Sequence, residues 1–173
     1  QPLMDSICAH SANPVTRHSA QTCNSMIVEL SKGNATVWTT MTSAPCTSVY
    51  KPIWLEAIPE QIFQALPDAK QSNDTLWWHH EKLHRSILLD YSRRIKPVQE
   101  TFCELENSWY LQASSEMSVD EKMSLTLKAI EQSSRATKLF INKLESEPFK
   151  RYPGFVYRSY WSRQNKAAGI RIQ

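Results

Sequence analysis

Glycine is scarce: the chain has 3 glycines in 173 residues, where average usage would place about 12. A collagen-like repeat, a Gly-rich linker protein and a Gly-rich phosphate loop of the Walker or Rossmann kind are all excluded by that shortage. Charge of one sign is lacking too. With 20 Lys+Arg against 17 Asp+Glu, the net charge of +3 is small and dispersed, whereas nucleic-acid binding calls for a basic stripe. No apolar run approaches the roughly 20 residues of a membrane-spanning helix, and the opening Gln1-Pro2-Leu3-Met4-Asp5 is not a signal peptide. Cysteine is sparse and scattered: Cys8, Cys23, Cys46 and Cys103 form no CxxC pair. They read as reduced thiols of a cytoplasmic protein, and the sequons at Asn34 and Asn73 would matter only after secretion. The length suits one domain or a large piece of one. A start at Gln1 rather than methionine fits a processed or truncated product.

What is present divides the chain into a mainly β part over 1–55, a mainly α part over 56–150 and an aromatic, basic tail over 151–173. Residues 25–30 and 35–41 are rich in β-branched and aromatic side chains, and Ser31-Lys-Gly-Asn34 between them is turn-prone, which predicts a β-hairpin. A third extended stretch over 47–54 contains Pro52, which has no N–H and so places that strand at an edge or ends it there. After Pro59 and Pro67, Asn73 or Asp74 can cap a helix that begins near Thr75, with Leu76, Leu83, Ile87 and Tyr91 on one face and Pro97 kinking or interrupting it. Helical patterning resumes from Val98 to about Gln112. Ser118-Val-Asp-Glu121 is a capping box. It opens an amphipathic helix through Met123, Leu127, Ile130, Ala136, Leu139, Ile141 and Leu144 that ends before Pro148. The expected class is α+β, a hairpin and edge strand followed by two long antiparallel helices. In the tail, arginines interleave with Tyr and Trp; they can form a single-strand nucleic-acid platform, or the rings can dock on the core while the arginines face water.

Three groups of residues could carry chemistry. His80-Glu81-Lys-Leu-His84 matches HExxH, which on a helix puts two imidazoles one turn apart on one face, able to share a Zn²⁺, with Glu81 as general base. Glu104 or Glu106 could complete a His₂Glu set, while Arg85 would set a cation beside the metal; the alternative is an amphipathic helix whose histidines bond to neighbouring groups. Cys8 and His10 fall on one side of an extended segment as a thiol–imidazole pair, or as a small buried hydrophobe and a loop residue. Arg17, Gln21, Thr22 and Asn24, near His18 and Cys23, make a dense polar group that could line a substrate pocket or solvate a loop. Cys46 follows Pro45 in a tight connection with no histidine close in sequence to activate it.

Several segments, taken in order, resemble the C-terminal half of the secernin-type dipeptidases, cysteine members of the N-terminal-nucleophile hydrolases. They are Ser6-Ile-Cys-Ala-His10, Arg17 with Gln21-Thr-Cys-Asn-Ser-Met26, Val37-Trp38 running into 42–54, Leu76-Trp-Trp-His-His-Glu-Lys-Leu-His-Arg85, and Tyr160-Trp-Ser-Arg-Gln-Asn-Lys-Ala-Ala-Gly169. The resemblance spans nearly the whole chain. It implies part of an αββα sandwich, a small peptide or amide as substrate, no cofactor, and a mature N-terminal cysteine that attacks the amide carbonyl with its own α-amino group as base. It also implies that the HExxH match sits on a helix of a family that uses no metal. The family's opening Cys-x-Thr and its Asn-Ser-Asp-Arg stretch are absent, and residue 1 is Gln. No catalytic residue is therefore carried onto this chain. The expectation is the C-terminal portion of a cysteine amidohydrolase, inactive alone, that needs a missing N-terminal half or a second copy and binds neither nucleic acid nor membrane. The alternatives are a zinc metallopeptidase built on His80, Glu81 and His84, and a non-enzymatic binding or assembly module.

Overall fold

In the computed structural model, which describes residues 21–31, 34–64, 66–148 and 154–172, the β-rich first third forms the expected hairpin. Strands β1 (Met26–Ser31) and β2 (Asn34–Thr39) pair antiparallel, with Ile27 opposite Trp38 and Ser31 opposite Asn34. The hairpin tip at residues 32 and 33, and with it Gly33, lies outside the described residues. Strand β3 (Lys51–Ile53) joins the other side of β2, which gives the order β1-β2-β3 with Pro52 on an edge strand. The strand is shorter than the 47–54 stretch suggests, because Pro45–Thr47 closes into a 3-10 turn and only Lys51–Ile53 reaches β2. Two further 3-10 turns, Leu55–Ala57 and Glu60–Phe63, lead to the helices.

Four helices follow rather than two: α1 (Leu76–Leu88), α2 (Tyr91–Gln112), α3 (Val119–Ser146) and α4 (Phe155–Ala168). The cap of α1 is Thr75, not Asn73 or Asp74. Its hydroxyl accepts from the Trp78 N–H and donates to Asn73 Oδ1, while Asp74 pairs with His79. Pro97 neither ends nor interrupts its helix. The break falls earlier, at Leu89 and Asp90, and Pro97 lies inside α2. Buried Arg94 stabilises this corner: its guanidinium donates to the carbonyls of Ser86, Leu144 and Glu147, acceptors left without intrahelical partners near the ends of α1 and α3. A break that depends on an arginine one turn into the next helix carries no Gly or Pro signal.

Cross-helix pairs show the directions. On α2 and α3, Phe102 meets Phe140, Trp109 donates to Gln132, and Gln112 accepts from Lys128, so one number falls as the other rises and the helices are antiparallel. Asp74, just before α1, pairs with Lys138 of α3, and Lys82 of α1 with Glu145, both numbers rising together, so these two helices run parallel. Helices α2 and α3 both pack on β3, and Thr126 donates to the Pro52 carbonyl. The core comprises Trp38, Trp54, Leu83, Ile87, Val98, Phe102, Trp109, Leu125 and Ile141 among others. The spacing of Ile95, Val98, Phe102 and Trp109 is the inward stripe of α2. On α3, Leu139 is exposed, and the buried line instead includes Lys122, Thr126, Ser133 and Thr137.

The Ser118–Glu121 capping box forms as expected, with both reciprocal bonds present. Ser118→Ala should therefore cost about 1 kcal/mol in urea unfolding, and Ser118→Asp should retain most of it.

Most of the aromatic, basic tail, Phe155–Ala168, is a helix. Helix α4 runs back along α1, where Trp161 packs edge-on against His84, Asn165 bonds to Arg85, and Ser72 N–H donates to the Ala168 carbonyl. Of its rings Trp161 is buried, while Phe155 is 77% exposed, so docking on the core holds for one face only. Gly169 closes the helix at φ +68°, a left-handed conformation that its missing Cβ permits.

Candidate functional site: a buried polar cluster beneath the 40–48 loop

The connection from β2 to β3 is polar and closely held. Asn24 Oδ1 accepts from the Thr39 and Thr40 hydroxyls and from the Met41 N–H, and Ala44 N–H donates to the Thr22 carbonyl. Met41 and Ala44 both adopt positive φ, 54° and 47°. Such conformations are uncommon for residues with a Cβ, and they persist where surrounding contacts dictate them, often at functional sites.

Beneath this loop lies α1. Its HExxH residues are 1–2% exposed. Glu81 Oε1 accepts from Arg85 Nε at 2.8 Å; Oε2 accepts from the Gln21 amide at 3.1 Å and from the Ser43 hydroxyl. Arg85 in turn reaches Asn165 Oδ1 at 2.9 Å and lies over the Trp161 ring, 4.9 Å from its centroid. The Thr47 hydroxyl donates to the Ala44 carbonyl and sits 3.3 Å from both His80 Nε2 and His84 Nδ1. Thr47 thus ties the two imidazoles and the Ala44 carbonyl into one hydrogen-bonded group.

Electrostatics keep this region largely neutral. Burial is the main cause holding His80 well below the usual histidine range, with His84 and Lys51 adding to it and the Ser43 and Ala44 backbone opposing. Lys51 is wholly buried, donates to the Val49 carbonyl, and is pushed down to about 7 by burial against the opposing pull of Glu106. Burial raises Glu106, whose carboxylate accepts from the Tyr50 N–H at 2.6 Å.

The sequence candidates thus separate. Gln21, Thr22 and Asn24 converge on the 40–48 loop and α1, where they bond to protein groups. His80, Glu81 and His84 are together, but Glu81 is held by Arg85, Ser43 and Gln21, and both imidazoles meet the Thr47 hydroxyl. Glu104 is exposed on α2, Glu106 faces Tyr50, and no three His, Cys, Asp or Glu side chains among the described residues are placed to hold a metal ion. Cys8, His10, Arg17 and His18 lie outside the described residues. Cys23, Cys46 and Cys103 are all thiols. Sequence reasoning missed Ser43, Thr47, Lys51 and Asn165; only Lys51, a charged residue in an apolar stretch, leaves a signal. A cavity of about 700 Å³ is a groove between Phe63, Trp77 and Leu127 that Met41 borders and Gln21, Thr22 and Asn24 do not. No helix among the described residues is long and apolar enough to cross a membrane.

Compared with known protein families, curated proteins and solved structures, the chain matches none.

Proposed function

We propose that this chain is the C-terminal portion of a cytoplasmic cysteine amidohydrolase that cleaves dipeptides or related small amides, with its nucleophile supplied by a segment other than residues 1–173. The observation that carries the reading is convergence. Gln21 and Asn24, the 42–48 loop, His80 to Arg85, and Asn165 belong to four separate segments quoted for the resemblance to secernin-type dipeptidases, and one hydrogen-bonded cluster joins them. In this reading Glu81 and Arg85 are positioning residues that hold the 40–48 loop, and the loop forms one wall of the substrate site. The edge that β1 forms among the described residues fits the same picture. Met26, Ile27, Val28 and Leu30 are 45–79% exposed on a strand that pairs, among the described residues, with β2 alone, and such an edge offers apolar surface and backbone groups to a further strand.

The test compares release of amino acids from a dipeptide library by residues 1–173 alone and by the same chain extended with the segment encoded immediately upstream. Hydrolysis is expected only from the extended chain, lost when its leading cysteine is changed to alanine. Hydrolysis by residues 1–173 alone that chelators abolish and Glu81→Gln removes would overturn the reading in favour of the zinc peptidase. An extended chain that hydrolyses nothing would leave the assembly module standing instead.

A further inference from the structure

A second cavity, about 410 Å³, opens between the end of α1, α4 and the residues after Gly169. Four cationic residues line it, Arg85, Arg158, Lys166 and Arg171, and among the described residues no acidic one does. Glu81, which does not line the cavity, pairs with Arg85. Arg85 gives Nε to Glu81 and one Nη to Asn165, which leaves its second Nη without a protein acceptor among the described residues. The same guanidinium is stacked on Trp161, so its plane is fixed. The remaining wall is apolar, formed largely by Ile170 and the Trp161 ring. The buried indole Nε1–H of Trp161 lacks a hydrogen bond of ordinary geometry, although the Tyr157 hydroxyl is near enough to interact with it. An apolar hollow with a few convergent polar groups has the form of a small-molecule site.

The geometry points to a binding site for a phosphate monoester carrying a flat apolar group. Several cations facing one hollow with no acid among them favour a dianion over a monoanion, and planar guanidinium groups match phosphate oxygens two at a time. The apolar wall takes the organic group, and the second Nη of Arg85 supplies a donor to a phosphate oxygen. This site shares Arg85 and Asn165 with the cluster under the 40–48 loop, but it does not depend on the function read for that cluster.

Phenyl phosphate is the probe, titrated calorimetrically into the full 173-residue chain at low salt. The expected result is saturable one-site binding, weakened about tenfold by Arg171→Glu and by Lys166→Glu, the effect of losing one charge-assisted hydrogen bond. Both side chains are exposed, so the thermal midpoint should hold in each variant and separate lost binding from lost fold. Inorganic phosphate and benzoate should each bind about tenfold more weakly, since one lacks the ring and the other the second charge. Absence of saturable binding, affinity indifferent to both charge reversals, or benzoate binding as tightly as phenyl phosphate overturns the proposal. Vesicles containing phosphatidate form the other arm: binding to them without binding of soluble phenyl phosphate would replace the small-molecule site by a lipid surface.

Discussion

Glu81→Gln is expected to lower the unfolding free energy by about 3–5 kcal/mol, the range for removing one partner of a buried ion pair. The side chains of Arg85 and Glu81 are 9% and 3% exposed, so the guanidinium left behind has little water to turn to. Neutralisation also changes the acceptor that serves Ser43 and Gln21, two groups that tie the 40–48 loop and the chain before β1 to α1. Urea unfolding followed by tryptophan fluorescence reads the effect. Glu104→Gln, on an exposed position of α2, should stay within about 0.5 kcal/mol and serves as the matched control. Equal midpoints for Glu81→Gln and the parent chain would show that the carboxylate is not structural, and would return it to consideration as a general base.

The second large effect is a dependence on pH. Lys51 is wholly buried and pushed down to about 7 from the ordinary 10.5. It therefore binds its proton more weakly in the folded chain than in the unfolded one. Between about pH 7 and the ordinary lysine value the unfolded chain holds the extra proton, so stability rises with pH across that window; below about pH 7 the whole penalty is present. The groups that act on it are Glu106 on α2, which favours the charged amine, and His80 on α1, whose charged form disfavours it. From pH 7 to pH 9 the gain should be about 2–3 kcal/mol. Lys51→Met should be the more stable chain at pH 7 and should lose most of this slope, because a thioether fills similar space without a charge to desolvate. Equal slopes in the two chains would assign the pH dependence to other groups.

Several elements were legible in the residue pattern. The hairpin was, because alternation and β-branching report a strand directly and the 31–34 stretch allows a tight turn. So was the start of α3, where Ser118 and Glu121 satisfy each other's backbone within one turn and need no partner from elsewhere. The edge position of β3 followed from Pro52, whose missing N–H limits the places a strand can occupy. Local signals misled where a distant group made the decision. Pro97 suggested a helix end, yet the end sits at Leu89 and Asp90, where Arg94 bridges the carbonyls of two helices. Thr75 took the cap of α1 while Asn73 and Asp74 found other partners. Leu139 fitted an apolar stripe and is exposed, whereas Ile141 and Leu144 of that stripe are buried and share the inner face of α3 with Thr126, Ser133 and Thr137.

The HExxH match shows the same division within a site. Spacing alone put His80 and His84 one turn apart on one face of a helix, because 3.6 residues per turn bring i and i+4 together. What those residues bond to was decided by the tertiary structure. Thr47 reached them from a 3-10 turn, Ser43 from a loop with two positive-φ residues, Gln21 from the chain before β1, and Asn165 from the last helix through Arg85. The chain by itself determined α+β order, the hairpin, the capped helices and the near-balance of charge, since each rests on neighbours within a few residues. Only folding decided that Glu81 is an anchor, that Lys51 lies buried, and that four cations without an acid share one hollow. Those depend on which distant groups exclude water from one another, and that is a property of packing rather than of order along the chain.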